Sequence, residues 1–139
     1  MKIVIVSGYF DPLHVGHIEL FKLARGLGDK LIVIINNDEQ TRMKKGREFM
    51  SAEDRKIIIE ALRDVDEAFI SIDKDRSVCE SLRFLKPDVF ANGGDRFNYE
   101  IPEAELCREL GIEIVDGLGL KRQSSSELVR RSKEKAEKI

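Results

Sequence analysis

The chain alternates. Short runs of β-branched residues recur between segments whose apolar residues fall on helical spacing, and this order persists along its whole length. Lys2 to Ser7 reads KIVIVS, Lys30 to Asn36 reads KLIVIIN, and shorter runs follow at Glu67 to Ile72, Asp88 to Ala91 and Ile112 to Val115. Between them, Val15 to Leu27 carries Ile18, Leu20, Phe21, Leu23, Ala24 and Leu27 on one helical stripe. Further helices are expected from Ser51 (the N-cap) to about Arg63, over Ser77 to Leu85, over Pro102 to Leu110, and from Ser124 to about Lys135. Continuous apolar strands separated by amphipathic helices predict an α/β fold. A five-stranded parallel sheet lies between two helical layers, because strands buried on both faces read as unbroken hydrophobic runs. The polar segment Asn37 to Met50 has no periodicity and reads as a loop.

The 139 residues suit one domain, 1–139, and 42% hydrophobic residues supply one core beneath a surface rich in charge. The net charge of -2 lacks the basic excess of a nucleic-acid binder. Cys79 and Cys107 are far apart and form no C-x-x-C pair, so half-buried or buried free thiols are expected. The opening run is too short for a signal peptide and no window reaches a membrane span. The chain is therefore expected to be cytoplasmic, with neither a membrane nor a nucleic acid as partner.

In parallel α/β folds, ligands bind beyond the carboxyl ends of the strands. Four polar segments are expected there: Gly8 to His17, Asn36 to Arg47, Asn92 to Arg96 and Lys121 to Ser126. The first reads Gly8-Tyr9-Phe10-Asp11-Pro12-Leu13-His14-Val15-Gly16-His17 and contains both histidines of the chain. It reads as strand, tight turn and helix start. Positions three apart share a helix face, so the two imidazoles can address one ligand. The unpaired N–H groups and dipole of the helix start favour an anion, and Gly16 leaves the backbone open to it. A metal pair would need further ligands, and only Asp11 is near.

This string resembles the G-x-F-D-x-x-H-x-G-H signature of the cytidylyltransferase-like nucleotidyltransferases, and the likeness extends over nearly the whole chain. Glycerol-3-phosphate cytidylyltransferase, heptose-1-phosphate adenylyltransferase and archaeal FAD synthase are members. The resemblance implies a Rossmann-like three-layer sandwich. It gives His14 and His17 the NTP phosphates and the transition state, and it makes Phe10 and Asp11 the residues that shape the turn. Gly8, Tyr9 and Gly16 complete that nucleotide-binding element.

It also assigns Lys44 to the triphosphate as a third catalytic group, with Lys45 and Arg55 near the acceptor phosphate. On composition alone, Arg42, Lys44, Lys45 and Arg47 read by default as a solvated charge run; their place at the carboxyl end of a strand and the resemblance reverse this. Gly93, Gly94 and Asp95 match an element near base and ribose, against the alternative of a plain turn. Ser124, Ser125 and Ser126, helped by Arg122, match a second phosphate site, against the alternative of a helix cap.

The implied reaction is direct displacement at the α-phosphorus of an NTP by an acceptor phosphate, with release of pyrophosphate. Positioning and charge stabilisation do the work, so no covalent nucleophile is required. Mg2+ is implied with the NTP, and no metal site is assigned to the protein itself. The leading expectation is CMP transfer from CTP to a polyol, sugar or amino-alcohol phosphate. The alternatives are an ATP-dependent adenylyltransferase acting on heptose-1-phosphate or FMN, and a non-catalytic nucleotide-binding regulator. The family implies a homodimer.

Overall fold

The computed structural model describes residues 1–93 and 102–119. Its elements run in the order β1 (Ile3–Gly8), α1 (Val15–Arg25), β2 (Lys30–Ile35), α2 (Asp38–Lys45), α3 (Ala52–Glu60), β3 (Glu67–Ile70), α4 (Cys79–Leu85), β4 (Val89–Gly93), α5 (Glu103–Leu110) and β5 (Glu113–Leu118). The strands form one parallel sheet in the order β3-β2-β1-β4-β5. This is the Rossmann-like α/β architecture expected from the sequence. The helix expected from Ser124 lies outside the described residues.

Alternation along each strand sorts the core into two layers. Val4 and Val6 of β1 and Leu31, Val33 and Ile35 of β2 pack with Phe21 and Ala24 of α1 and Ile59 of α3. Ile5, Ile32 and Ile34 face the other way, onto Leu82 of α4 and Leu106 and Cys107 of α5. Cys107 is buried, Cys79 is half-buried, and both thiols are free, as expected. Burial pushes the Cys107 thiol up to about 11, so it is inert at neutral pH.

From β1 the chain builds outward through β2 to β3, then returns to the other side of β1 for β4 and β5. The direction reverses between β1 and β4. Their carboxyl ends therefore diverge into a crevice, the usual ligand position in such sheets. The turn after β1 and the end of β4 border it.

Two expectations change. The segment 37–50 is not a loop throughout, because residues 38–45 form α2. Asn37 and Gln40 cap it reciprocally, each side chain accepting the other's backbone N–H at 2.9 Å. The Gln40 amide, wholly buried, donates to the carbonyls of Asp75 (2.6 Å) and Ser77 (2.9 Å). Polar contacts hold this helix, which is why it lacks an apolar stripe. Strand β5 also runs on to Leu118, past the expected Val115, with an irregular register opposite Ala91 to Gly93. There the Asn92 amide donates to Asp116 Oδ1 at 3.2 Å.

Candidate active site

Beyond β1, the chain folds back on itself. Phe10 takes a left-handed backbone, with φ at 53°, a conformation costing a non-glycine residue about 1–3 kcal/mol. Burial of its ring offsets this, since Phe10 is 3% exposed and meets Phe21 edge-on at 5.3 Å. The same ring lies over Gly8, where a Cβ would come within 2.8 Å of it. Phe10 thus forms the floor of the turn, and the ring of His17 stands edge-on against it at 4.9 Å.

The two histidines open α1 by capping it. Nδ1 of His14 accepts the N–H of Gly16, and Nδ1 of His17 accepts the N–H of His14, each at 3.1 Å. Side-chain acceptors at a helix start are ordinarily Ser, Thr, Asp or Asn. Here imidazoles serve, and the bonds fix both rings as neutral tautomers protonated at Nε2. The rings stack at 3.7 Å and 23°. Burial, then the neighbouring His14 and Lys45, push the His17 imidazole down to about 3. Burial also lowers His14. The pair therefore offers two uncharged Nε2–H donors at neutral pH. A side chain on Gly16 would sit 3.0 Å from the His14 ring, so this glycine leaves room for the ring that caps its own N–H.

The lysines come from the end of α2. The Lys44 ammonium lies 4.3 Å from the centroid of the Tyr9 ring. Lys45 Nζ donates to the carbonyl of Asp11 at 2.6 Å, and its burial lowers its pKa. Arg42, counted in the same basic run, forms a two-pronged ion pair with Glu48 at 2.8 and 3.0 Å. That pair holds the Glu48 carboxyl down at about 2.

Asp11 and Arg55 are placed inside the frame of the site. Asp11 is 1% exposed, and its carboxylate accepts the N–H groups of Phe49 (2.6 Å) and Met50 (2.7 Å). The sequence suggested a shaper of the turn, and this residue also straps the segment after α2 onto it. Arg55 was expected at the acceptor phosphate. Its side chain is instead fully buried, and every N–H donor of its guanidinium has a protein acceptor. Gly93 is packed against Leu20 and the carbonyl of Leu118. Gly94, Asp95, Arg122, Ser124, Ser125 and Ser126 lie outside the described residues.

Sequence reasoning passed over Asn37, Gln40 and the Asn92–Asp116 contact. The Asn37-x-x-Gln40 spacing is itself a capping-box signal. Among the described residues, no group of three or more His, Cys, Asp or Glu side chains could hold a metal ion, and no helix is long and apolar enough to cross a membrane.

Residues 5–131 match the model of the cytidylyltransferase-like family. This chain belongs to the cytidylyltransferase-like family. It is 42% identical over 113 residues to the FAD synthase of Pyrococcus abyssi, a match covering 80% of this chain and 75% of that protein. The FAD synthase of Thermococcus kodakarensis is 46% identical over 111 residues, covering 78% and 73%. The bifunctional protein HldE of Desulfatibacillum aliphaticivorans is 38% identical over 116 residues, covering 82% of this chain and 23% of that one.

Among solved structures, a lipopolysaccharide core biosynthesis protein from Thermoplasma volcanium superposes with a TM-score of 0.74 at 28% identity, covering 87% of this chain and 98% of that one. A pantoate-beta-alanine ligase from Francisella tularensis, at 20% identity and a TM-score of 0.61, shares the fold. As a cytidylyltransferase-like protein with FAD synthases among its relatives, the chain is a nucleotidyltransferase.

Proposed function

We propose that this nucleotidyltransferase moves AMP from ATP to FMN, forming FAD and pyrophosphate. One observation carries the reading: identity of 42–46% to FAD synthases, over three-quarters of their length. FAD is FMN extended by AMP, so its synthase must join those two halves. These relatives favour adenylyl transfer over the CMP transfer first expected. HldE favours a second acceptor, heptose-1-phosphate, but the match spans about a quarter of that protein. Phe49 supports the flavin. Its ring is 67% exposed while its backbone is fixed on Asp11, beside the turn. A flat apolar group there suits an isoalloxazine better than a sugar.

In the proposed reaction a phosphate oxygen of FMN attacks the α-phosphorus of ATP. The bond from that phosphorus to the oxygen bridging to the β-phosphorus breaks, and pyrophosphate leaves. His14 and His17 donate from Nε2 to the phosphate oxygens as charge builds, and neutral donors keep that ability over a wide pH range. Lys44 holds the triphosphate and Lys45 the acceptor phosphate.

Mg2+ enters with the triphosphate. The Asp11 carboxylate is engaged by two N–H groups, so the phosphates themselves and water are its proposed ligands. Its part is to neutralise phosphate charge.

The test is a grid of ATP and CTP against FMN, heptose-1-phosphate and glycerol-3-phosphate, read by pyrophosphate release with and without EDTA. ATP with FMN is expected to turn over, with EDTA abolishing it. Turnover confined to CTP, or to ATP with the heptose phosphate, would replace the reading.

A further inference from the structure

Arg55 is the largest fully buried side chain of the described residues, and it carries a charge. Nε donates to the carbonyl of Met50 (3.1 Å). Nη1 donates to the carbonyls of Tyr9 (2.6 Å) and Asn36 (2.9 Å), and Nη2 to Asp38 Oδ1 (3.1 Å) and Thr41 Oγ1 (3.4 Å). A guanidinium has five N–H donors, so none remains for a ligand.

The acceptors are distributed in a telling way. Tyr9 is in the turn after β1, Asn36 follows β2, Asp38 and Thr41 belong to α2, and Met50 precedes α3. These segments carry the histidines and the lysines. Asp11 works from the opposite side, so Met50 is held at its N–H by Asp11 and at its carbonyl by Arg55. A buried charge is weak evidence for stability, because desolvation consumes much of what its bonds return. A planar fork with fixed donor directions does, however, specify geometry.

We propose that Arg55 is a positioning residue of the transfer reaction. It sets the lysine helix α2 in register with the histidine turn and acts through those elements without touching substrate. The inference rests on the nucleotidyl-transfer reading of the site.

Arg55→Lys tests it, since lysine keeps the charge but offers three donors from one point. Asp38→Ala, at a partly exposed residue, removes one acceptor of the guanidinium together with the acceptor of the Ala52 N–H, and keeps the test open if the lysine variant fails to fold. Ile59→Val and Ile59→Ala, on the core side of the same helix, supply stability losses without removing any hydrogen bond of the frame. Each is assayed with ATP and FMN well below its melting temperature. The histidine signals are followed by NMR without substrate, which is direct because the chain has two histidines.

Arg55→Lys is expected to lose kcat tenfold or more, with the KM for ATP within threefold and both imidazole signals displaced. Asp38→Ala should lose kcat three- to tenfold. The Ile59 variants should keep kcat within twofold and leave the imidazoles unmoved. If Arg55→Lys or Asp38→Ala keeps kcat within twofold and leaves the histidine signals in place, the positioning role is overturned. If the parent protein ignores FMN, the acceptor reading fails, while the imidazole signals still decide the role of Arg55.

Discussion

The imidazole of His17 accepts the backbone N–H of His14 at 3.1 Å, while the ring of His14 stacks on it at 3.7 Å. One residue pair thus caps a helix, fixes two tautomers and presents two N–H donors. The capping and donor roles can be separated. His14→Asn and His17→Asn keep an acceptor near the Nδ1 position and remove Nε2–H. Each should lose kcat about a hundredfold or more, the usual cost of an oxyanion-type donor, with little change in melting temperature. The alanine variants should lose the same activity and about 0.5–2 kcal/mol of stability besides. Steady-state kinetics beside thermal melts measure both. An Asn variant with near-normal kcat would remove the histidines from the chemistry.

The depressed pKa of His17 makes a pH prediction with a definite sign. Unfolded, this imidazole takes up a proton near 6.5; folded, it resists until about 3. Between these values the unfolded state binds more protons, so stability is present above about 6.5 and is lost as pH falls below it. One such group contributes at most about 1.4 kcal/mol per pH unit. Denaturant melts of the parent should weaken from pH 7 to pH 5, and His17→Asn should show a shallower slope. Over the same range kcat should show no acid limb from the histidines. Equal slopes in the two proteins would mean that His17 titrates normally.

Asp11 joins the turn to the chain that follows α2. Asp11→Ala frees the N–H groups of Phe49 and Met50 and should lose several kcal/mol, since hydrogen bonds to a charged group contribute about 1.5–3 kcal/mol each. Trypsin should then cut faster at Lys44, Lys45 and Arg47. Unchanged melting and unchanged cleavage would show that the strap carries no weight.

Phe49 is exposed, and its N–H is held by Asp11 of the turn. Phe49→Ala should raise the KM for FMN about tenfold or more, in keeping with the 1–3 kcal/mol typical of aromatic stacking on a base. The KM for ATP should stay within twofold. Equal effects on both substrates would give Phe49 a general role in the segment instead.

Much of this was legible in the residues. The apolar runs and their spacing define the parallel sheet, since a strand buried on both faces must be apolar throughout. The paired histidines beside Gly16 mark a helix start, and the structure stacks their rings there as the caps of α1. The helix α2 was hidden because Gln40 and Thr41 are buried through hydrogen bonds, leaving no hydrophobic stripe to see. The burial of Arg55 was hidden because an arginine on a helix ordinarily reads as surface. Its acceptors at Tyr9 and Asn36 lie 46 and 19 residues away and meet it only once the sheet has formed.

The central claim is adenylyl transfer to FMN, and the most direct measurement follows the purified protein with ATP, Mg2+ and FMN. FAD is quantified by chromatography and pyrophosphate by a coupled assay, with CTP in place of ATP as the comparison. The account predicts FAD and pyrophosphate in equal amounts, at least tenfold faster than any product from CTP. Pyrophosphate without FAD, or a faster reaction with CTP, would contradict it.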